Sequence, residues 1–327
     1  MKLGTVGTSR ITNSFIEAAG KSGKLTLNAV YSRSFEKARQ IADTYNAPYT
    51  FDDLEQMAKS NYIEIVYIAS PNSLHYEQAK LFLQHKKHVI CEKPIFSNTK
   101  EWEDAYQVAE ENGVFLFEAM RNIHSPNSKI LKRQIGKAGK IRSAMLHYIQ
   151  YSSRYDLVLK GEEPNIFSPR FSGGALVDLG VYPTSLAVSL FGEPDHITYY
   201  PVMLRSGVDG SGTLILKYDG FICTILCSKI SHSHIPSEIH GEEGSFVLDH
   251  VAPITNIKFV DRHSKKSHNL EEPRYENEMI YEVEEFVRII KTNDQQQYEE
   301  LKGIGRMVLT VTETARQQND IVFENEK

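Results

Sequence analysis

Two short runs of the sequence carry side chains that can exchange protons. A Glu-Lys-Pro turn occupies 92–94, and Asp178 precedes Tyr182 by four residues in the glycine-containing run 173–183. A lysine and a phenol can both exchange a proton with a substrate hydroxyl when their surroundings bring them toward neutral pH. Four residues is close to one helical turn, so a helix would place the acid and the phenol on one face. Lys93, Tyr182 and Asp178 are therefore the predicted catalytic residues, with a purely structural pair of acid and phenol as the alternative.

The first of these runs lies at the end of a predicted strand. Over residues 1–120, short apolar runs alternate with helical patterns of 10–15 residues, which is typical of βαβ units and a parallel sheet. Ligands of such sheets bind beyond the carboxyl ends of the strands, so Lys93 is expected to face a ligand crevice. Pro94 permits a cis bond that would direct the lysine side chain. The alternative is an ordinary turn.

The pattern changes near residue 120. Six predicted strands between 196 and 260 follow one another without helices, and two helical patterns, 278–291 and 301–317, close the chain. This favours an α+β unit with an open, mostly antiparallel sheet. Because 327 residues exceed the roughly 250–300 that one core supports, we predict an α/β doubly wound domain over 1–120 and an α+β domain over 121–327.

The first strand leads into a turn that suits a dinucleotide phosphate. Gly7 matches the first glycine of the G-x-G-x-x-G fingerprint, while Ser9 and Thr12 occupy the other two positions. All three are small, so backbone amides at the start of the next helix could approach a pyrophosphate. A plain strand–turn–helix remains the alternative.

The end of the second strand distinguishes two nicotinamide cofactors. Enzymes that use NAD usually carry an acid there for the ribose hydroxyl, and this chain has Ser32 and Arg33 instead. Both can bind a 2′-phosphate, so NADP is favoured and NAD is possible. Arg33 could also be a solvated loop residue. The predicted cofactor-binding residues share the carboxyl edge of the first sheet: Gly7, Thr8, Ser9, Arg10, Ile11, Ser32, Arg33, Ser70, Pro71, Asn72, His75, Glu92 and Lys93.

Substrate contacts are predicted where the second half begins and in the long segment before the glycine run. The candidates are Arg121, Asn122 and Arg170, with Arg154 and Asn165 beside them. The segment 151–171 has the length of a lid loop, and a simple surface connection is equally compatible with it.

Composition limits the partners and the setting. A net charge of −5 does not favour binding to nucleic acid or anionic lipid. The chain has only three cysteines, which favours a reducing, intracellular setting. It contains no run of about 18 uninterrupted apolar residues, the length that a membrane span needs. No metal-ligand spacing is present, since His232 and His234 lack supporting ligands. We expect a cytoplasmic protein without metal.

In order along the chain, the first turn, Pro71-Asn72 with His75, the Glu-Lys-Pro turn and the run 173–183 resemble the Gfo/Idh/MocA oxidoreductases. Glu118-Ala119-Met120 and Tyr182 are most similar to the dihydrodiol dehydrogenase branch. The resemblance implies a Rossmann domain, a nicotinamide cofactor, a sugar, polyol or dihydrodiol substrate, and a homodimer or homotetramer formed through the C-terminal sheet. The segment 121–126 lacks the aromatic residues usual in that branch.

The resemblance also implies a mechanism. A substrate carbon would give hydride to the cofactor while Tyr182 takes the hydroxyl proton, Lys93 polarises the oxygen, and Asp178 orients Lys93 or the substrate. Two alternatives share the fold. One is a sensor that binds the cofactor without turnover, and the other is a redox-neutral glycosidase, whose histidine-rich glycine motif is absent here.

Overall fold

The computed structural model describes all residues from 1 to 327, which form two compact units. Unit 1 comprises 1–119 and 275–305, and unit 2 comprises 120–274 and 306–327. The predicted division at residue 120 assigned everything after it to the second domain, so the assignment of 275–305 is corrected here.

Unit 1 contains a six-stranded, entirely parallel sheet in the order β3-β2-β1-β4-β5-β6. Its strands are β1 (Lys2–Val6), β2 (Thr26–Tyr31), β3 (Tyr49–Phe51), β4 (Ile65–Ile68), β5 (His88–Glu92) and β6 (Leu116–Ala119). The strand β4 is fully buried, as its uninterrupted apolar sequence predicts for a sheet covered on both faces. The strand order reverses direction between β1 and β4, which is where doubly wound sheets open a crevice.

Helices cover this sheet. They are α1 (Arg10–Ser22), α2 (Phe35–Tyr45), α3 (Leu54–Lys59), α4 (His75–Gln84) and α5 (Thr99–Glu111). The predicted Rossmann architecture is confirmed. The short elements β3 and α3 were not predicted, because neither spans two full repeats of its hydrophobic pattern.

The late segment of unit 1 packs through aromatic side chains. In α9 (Met279–Thr292), Phe286 stacks on Phe117 of β6 with ring centroids 4.5 Å apart. Tyr298, in the first turn of α10 (Gln295–Gln317), meets Phe117 edge-on, and its hydroxyl accepts a hydrogen bond from the Leu116 amide at 3.3 Å. These contacts explain why 275–305 belongs to unit 1.

Unit 2 contains an eight-stranded sheet in the order β14-β13-β12-β11-β7-β10-β9-β8. Its strands are β7 (Ile141–Ile149), β8 (His196–Met203), β9 (Asp209–Tyr218), β10 (Phe221–Ser228), β11 (Ser237–Gly241), β12 (Gly244–Leu248), β13 (Ile257–Asp261) and β14 (Ser267–Asn269). All neighbours are antiparallel except β7 and β10. The predicted α+β class with a mostly antiparallel sheet is confirmed.

The helices of unit 2 include α6 (Pro126–Gln134), α7 (Tyr155–Leu159) and α8 (Val181–Phe191). The segment in which a helix would place Asp178 and Tyr182 on one face starts as a π-helical turn at Leu176–Gly180, which we call the π-turn, and continues as α8. By length and composition Pro169–Phe191 could cross a membrane, but 72% of its apolar window is buried inside the protein, as expected of a core segment.

Candidate active site

The turn after β1 has the backbone that a phosphate cradle needs. Gly7 has φ +116°, and a Cβ there would lie 2.6 Å from the Ala69 carbonyl oxygen, so only glycine fits. The amino-terminal end of α1 follows at once, with no acid in its first turn and no side-chain cap from Ser9. The amides of this turn therefore suit an anion, and the helix dipole favours negative charge there.

The end of β2 presents hydroxyl and guanidinium groups. Ser32 is half-buried and its Oγ accepts the Ser34 amide at 3.2 Å, whereas Arg33 is exposed. Asp53, which follows β3, caps α3 by accepting the amides of Glu55 and Gln56. The Ser32 hydroxyl and the Arg33 guanidinium are therefore the polar groups that the end of β2 offers to a cofactor.

The His75 side chain is buried between two loops. It is 1% exposed, with Nδ1 at 3.0 Å from the Pro94 carbonyl oxygen and Nε2 at 2.9 Å from that of Ser70. Burial lowers its pKa. A neutral imidazole carries one N–H, so His75 donates to one of these two carbonyls and packs against the other, between the loops that follow β4 and β5. The buried ring gives it this role in place of the predicted direct contact with the cofactor.

The Glu-Lys-Pro turn is anchored from beneath by a carboxylate. Glu92 accepts the Tyr67 hydroxyl at 2.5 Å and the Lys93 amide at 3.2 Å. Tyr67 is fully buried and its ring stacks on Phe15 of α1, with centroids 3.7 Å apart. The Lys93-Pro94 bond is cis, and Lys93 itself is half-buried. Glu92, predicted to bind cofactor, therefore connects α1, through Tyr67 and Phe15, with the Glu-Lys-Pro turn.

Glu118 supplies a second carboxyl at the same edge. It is the penultimate residue of β6, and its carboxylate accepts a hydrogen bond from the Ile95 amide at 3.1 Å. Burial, with a smaller contribution from the charge of Glu92, raises the pKa of Glu118 to about 7, while the hydrogen bond from the Ile95 amide and the charge of Lys93 oppose the rise. The ammonium of Lys93 thus lies within electrostatic range of a carboxyl that titrates near neutral pH.

In unit 2, the π-turn carries the acid and leads into the phenol. The Asp178 carboxylate forms an ion pair with the Lys229 ammonium, which is only 2% exposed. Tyr182 is buried at 6%, and the Arg121 guanidinium lies 5.5 Å from its ring centroid. Short π-helical turns, such as the one that carries Asp178, are frequent at functional sites.

The glycines of this run allow neighbouring segments to approach closely. A Cβ on Gly173 would lie 2.8 Å from backbone atoms of Asn165 and Ile166. A Cβ on Gly174 would overlap a carboxylate oxygen of Asp209, and one on Gly180 would lie 3.3 Å from the sulfur of Cys227. Neighbouring backbone at Gly173 and neighbouring side chains at Gly174 and Gly180 thus leave little space for a Cβ.

The predicted substrate residues separate into two groups. Asn122 is fully buried, and its amide donates to the carbonyls of Tyr182 and Val251 and accepts from Ser185. This structural role replaces the predicted substrate contact. Arg121 is half-buried beside Tyr182 and remains a candidate. The other candidates, Arg154, Asn165 and Arg170, are exposed.

Three participants were not assigned from the sequence: Tyr67, Glu118 and Lys229. Tyr67 could have been suspected, because a phenol inside an apolar strand needs a partner. Lys229 directly follows the apolar strand β10, and a lysine there resembles an ordinary strand end. Only the fold reveals that its ammonium turns inward.

Two family models match the chain. A model of the "Oxidoreductase family, NAD-binding Rossmann fold" covers 1–120, and one of the "GFO/IDH/MocA C-terminal domain" covers 133–247. Matches to curated proteins extend over most of the chain. The scyllo-inositol 2-dehydrogenase (NADP(+)) IolU of Bacillus subtilis is 44% identical over 323 residues, which is 99% of this chain and 98% of that protein.

More distant relatives share the same architecture. A trans-1,2-dihydrobenzene-1,2-diol dehydrogenase of Xenopus laevis is 28% identical and covers 79% of each chain. Among solved structures, the 3-ketoreductase KijD10 of Actinomadura kijaniata, crystallised with NADP and TDP-benzene, superposes with a TM-score of 0.83. It is 19% identical and covers 95% of this chain and 96% of that chain, so it supports the fold alone.

Ser32→Asp tests the cofactor edge. A carboxylate at this position would repel a 2′-phosphate, so we expect kcat/KM for NADP⁺ to fall about tenfold or more while that for NAD⁺ changes little. Steady-state kinetics with both cofactors measure this ratio. Ser264→Asp, in an exposed turn of unit 2, adds the same charge as a control. An unchanged NADP⁺/NAD⁺ ratio in Ser32→Asp would contradict the assignment.

Glu118→Gln tests the buried carboxyl through pH. A carboxyl whose pKa rises on folding from 4.5 to about 7 binds its proton more tightly when folded, so it favours folding below about pH 4.5, and that contribution is lost toward pH 7. We expect the free energy of unfolding of the wild type, relative to Glu118→Gln, to fall by about 2–3 kcal/mol across this interval.

Urea titrations at several pH values measure this difference. The side-chain amide introduced by Glu118→Gln would keep an oxygen acceptor for the Ile95 amide, so geometry is preserved while titration is removed. Glu110→Gln, on the exposed face of α5, serves as the matched control and should leave the pH dependence unchanged. Parallel pH profiles for the wild type and Glu118→Gln would show that Glu118 titrates normally.

Proposed function

Since the chain belongs to the Gfo/Idh/MocA oxidoreductase family and is an NAD(P)-dependent dehydrogenase, we propose that it oxidises a ring hydroxyl of a cyclic polyol, with NADP⁺ as the acceptor. The observation that carries this proposal is the match over 99% of the chain to an NADP⁺-dependent scyllo-inositol dehydrogenase at 44% identity. A substrate of this class is a compact ring bearing many hydroxyl groups.

The choice of NADP rests on the residues of unit 1. The turn at Gly7 and the amino-terminal amides of α1 would hold the pyrophosphate, and Ser32 with Arg33 would hold the 2′-phosphate. When bound, the cofactor supplies a hydride acceptor for the substrate carbon. The chain's own residues must then bind the polyol, orient it and remove one proton.

Lys93 and Tyr182 are proposed to share the proton chemistry. The Lys93 ammonium would donate a hydrogen bond to the reacting oxygen and stabilise negative charge that develops on it. The Tyr182 hydroxyl would receive the proton of the substrate hydroxyl at Oη. Asp178, expected to orient Lys93 or the substrate, would accept a hydrogen bond from a neighbouring substrate hydroxyl while its carboxylate pairs with Lys229.

The guanidinium beside Tyr182 suits a polyol better than a dihydrodiol. The segment 121–126 lacks aromatic residues and places the Arg121 guanidinium against the Tyr182 ring. A guanidinium can donate several hydrogen bonds to hydroxyl oxygens, and a polyol offers more of them than a dihydrodiol, which has two. Arg121 is therefore the proposed polyol contact in unit 2, with exposed Arg170 as a second candidate.

We propose a homodimer or homotetramer formed through the open face of the unit 2 sheet. Large apolar side chains are exposed there: Tyr200 and Val202 on β8 are 62% and 54% exposed, and Ile222 on β10 is 47% exposed. Exposed apolar groups on one face of a sheet, here on β8 and β10 with β9 between them, favour association with a second copy.

Sedimentation equilibrium tests this assembly. The wild type is expected to sediment as a dimer or tetramer at micromolar concentration, and Tyr200→Lys should shift the mass toward the monomer by placing a charge on the apolar face. Lys291→Ala, an exposed lysine on α9 of unit 1 and so outside this sheet, is the control and should not dissociate it. A monomeric wild type would contradict the proposed interface.

Lys93→Met tests the catalytic proposal. Removal of the ammonium while the chain length is kept should lower kcat for scyllo-inositol oxidation by about 10²–10⁴-fold, the usual range for a group acting on the transferred proton. NADP⁺ affinity, measured by fluorescence, should change much less. Near-wild-type turnover with intact NADP⁺ binding would refute the role of Lys93.

Two companion variants sharpen this experiment. Lys100→Met, on the exposed face of α5, removes a lysine of the same unit and should leave kcat unchanged. Tyr182→Phe removes only the hydroxyl, so comparison of its pH–rate profile with that of Lys93→Met identifies the proton carrier. If NADPH binds but no sugar, polyol or diol is oxidised or reduced by the wild type, the proposed function fails.

A further inference from the structure

Lys229 has an unusual position for a lysine. It directly follows β10, its amide donates to the Gly210 carbonyl at 2.9 Å, and its carbonyl accepts the Ser152 amide at 2.9 Å. The ammonium lies 5.0 Å from the centroid of the Phe167 ring and pairs with the Asp178 carboxylate. Backbone and side chain are therefore both fixed, so the ammonium has little freedom to move.

The two partners of this ion pair differ in exposure. The Lys229 side chain is 2% exposed, whereas that of Asp178 is 30% exposed. A fully buried pair is often replaceable by apolar residues without loss of stability, so a buried ammonium is weak evidence for a purely stabilising role. Here the cation lies behind a carboxylate that solvent and small molecules can reach. This arrangement suits presentation of the carboxylate to a ligand.

A second carboxylate holds the other side of the π-turn. Asp209, the first residue of β9, is 1% exposed and accepts the Leu176 amide and the Tyr199 hydroxyl, each at 2.7 Å. Burial raises its pKa, while the charge of Lys229 acts in the opposite direction. Asp209 thus anchors the start of the π-turn, and Lys229 lies within electrostatic range of it.

We propose that Lys229 is a positioning residue that fixes the Asp178 carboxylate for contact with the polyol, with Asp209 anchoring the π-turn from its buried side. This inference rests on the proposed function, because Asp178 is assigned there to a substrate hydroxyl. Lys229 itself is too buried to reach the substrate, so its effect on turnover passes through Asp178.

A double-mutant cycle tests this dependence. Lys229→Met and Asp178→Asn are each expected to lower kcat/KM for scyllo-inositol by about tenfold to a hundredfold, as misplacement of a substrate-orienting group does. The kcat/KM of the double variant should lie within about twofold of that of the less active single variant, because the effects of two residues that act through one contact do not add. NADP⁺ dissociation constants should stay within about threefold of wild type.

Matched variants separate positioning from folding. Lys217→Met, an exposed lysine of β9, should retain wild-type kinetics. Melting temperature and near-ultraviolet circular dichroism establish that each variant folds. If Lys229→Met does not fold, Lys229→Gln takes its place in the same cycle, because it removes the charge and keeps a donor.

Three outcomes would overturn the inference while the wild type remains active. They are lysine variants within twofold of wild type, additive losses in the double variant, and a parallel loss of NADP⁺ affinity. Failure of the proposed function has a different signature, since the wild type itself would then oxidise no polyol. That result would remove the substrate contact on which the role of Lys229 depends.

Discussion

A charge removed from water needs a partner inside the fold, and this requirement organises the surroundings of both predicted catalytic segments. In unit 2, the buried ammonium of Lys229 is paired with Asp178 at the π-turn. In unit 1, the buried carboxylate of Glu92 accepts the Tyr67 hydroxyl and the Lys93 amide. In each case a buried polar contact fixes the backbone beside a group assigned to the reaction.

The same requirement explains why several polar residues near these segments are structural. His75 lies between the loops after β4 and β5 with a carbonyl oxygen near each ring nitrogen, and Asn122 joins Tyr182 to the loop at Val251. Both are polar residues near a candidate catalytic segment, and both are buried. Burial of every polar atom leaves such residues to set positions, whereas half-buried Lys93 and Arg121 retain access to ligands.

Sequence patterns predicted what depends on local periodicity. The apolar strand β4 and the alternation of strands with helices indicated the parallel sheet, and the position of Lys93 after β5 indicated its edge. The return of 275–305 to unit 1 could not be predicted, because the packing of Phe286 on Phe117 joins residues 169 positions apart. The pairing of Lys229 with Asp178 was equally hidden, since it crosses 51 residues and neither side chain signals its partner.

Local charge matters more to this protein than its net charge of −5. Glu92 and Glu118 make the electrostatic potential around Lys93 more negative. The amides after Gly7 and the guanidinium of Arg33 offer positive groups for an anionic cofactor. Separation of these regions along one sheet edge lets a single unit bind phosphate and hold an ammonium among carboxyl groups. The mild overall acidity therefore does not oppose a phosphate-bearing cofactor.

The most direct test of the central claim follows the hydrogen itself. Scyllo-inositol deuterated at its ring carbons is incubated with the protein and NADP⁺, and the NADPH formed is analysed by mass spectrometry. The account predicts one deuterium in each NADPH, because the carbon-bound hydrogen is transferred as hydride while the hydroxyl proton leaves separately. NADPH formed without deuterium, or no NADPH in the presence of any polyol, would contradict it.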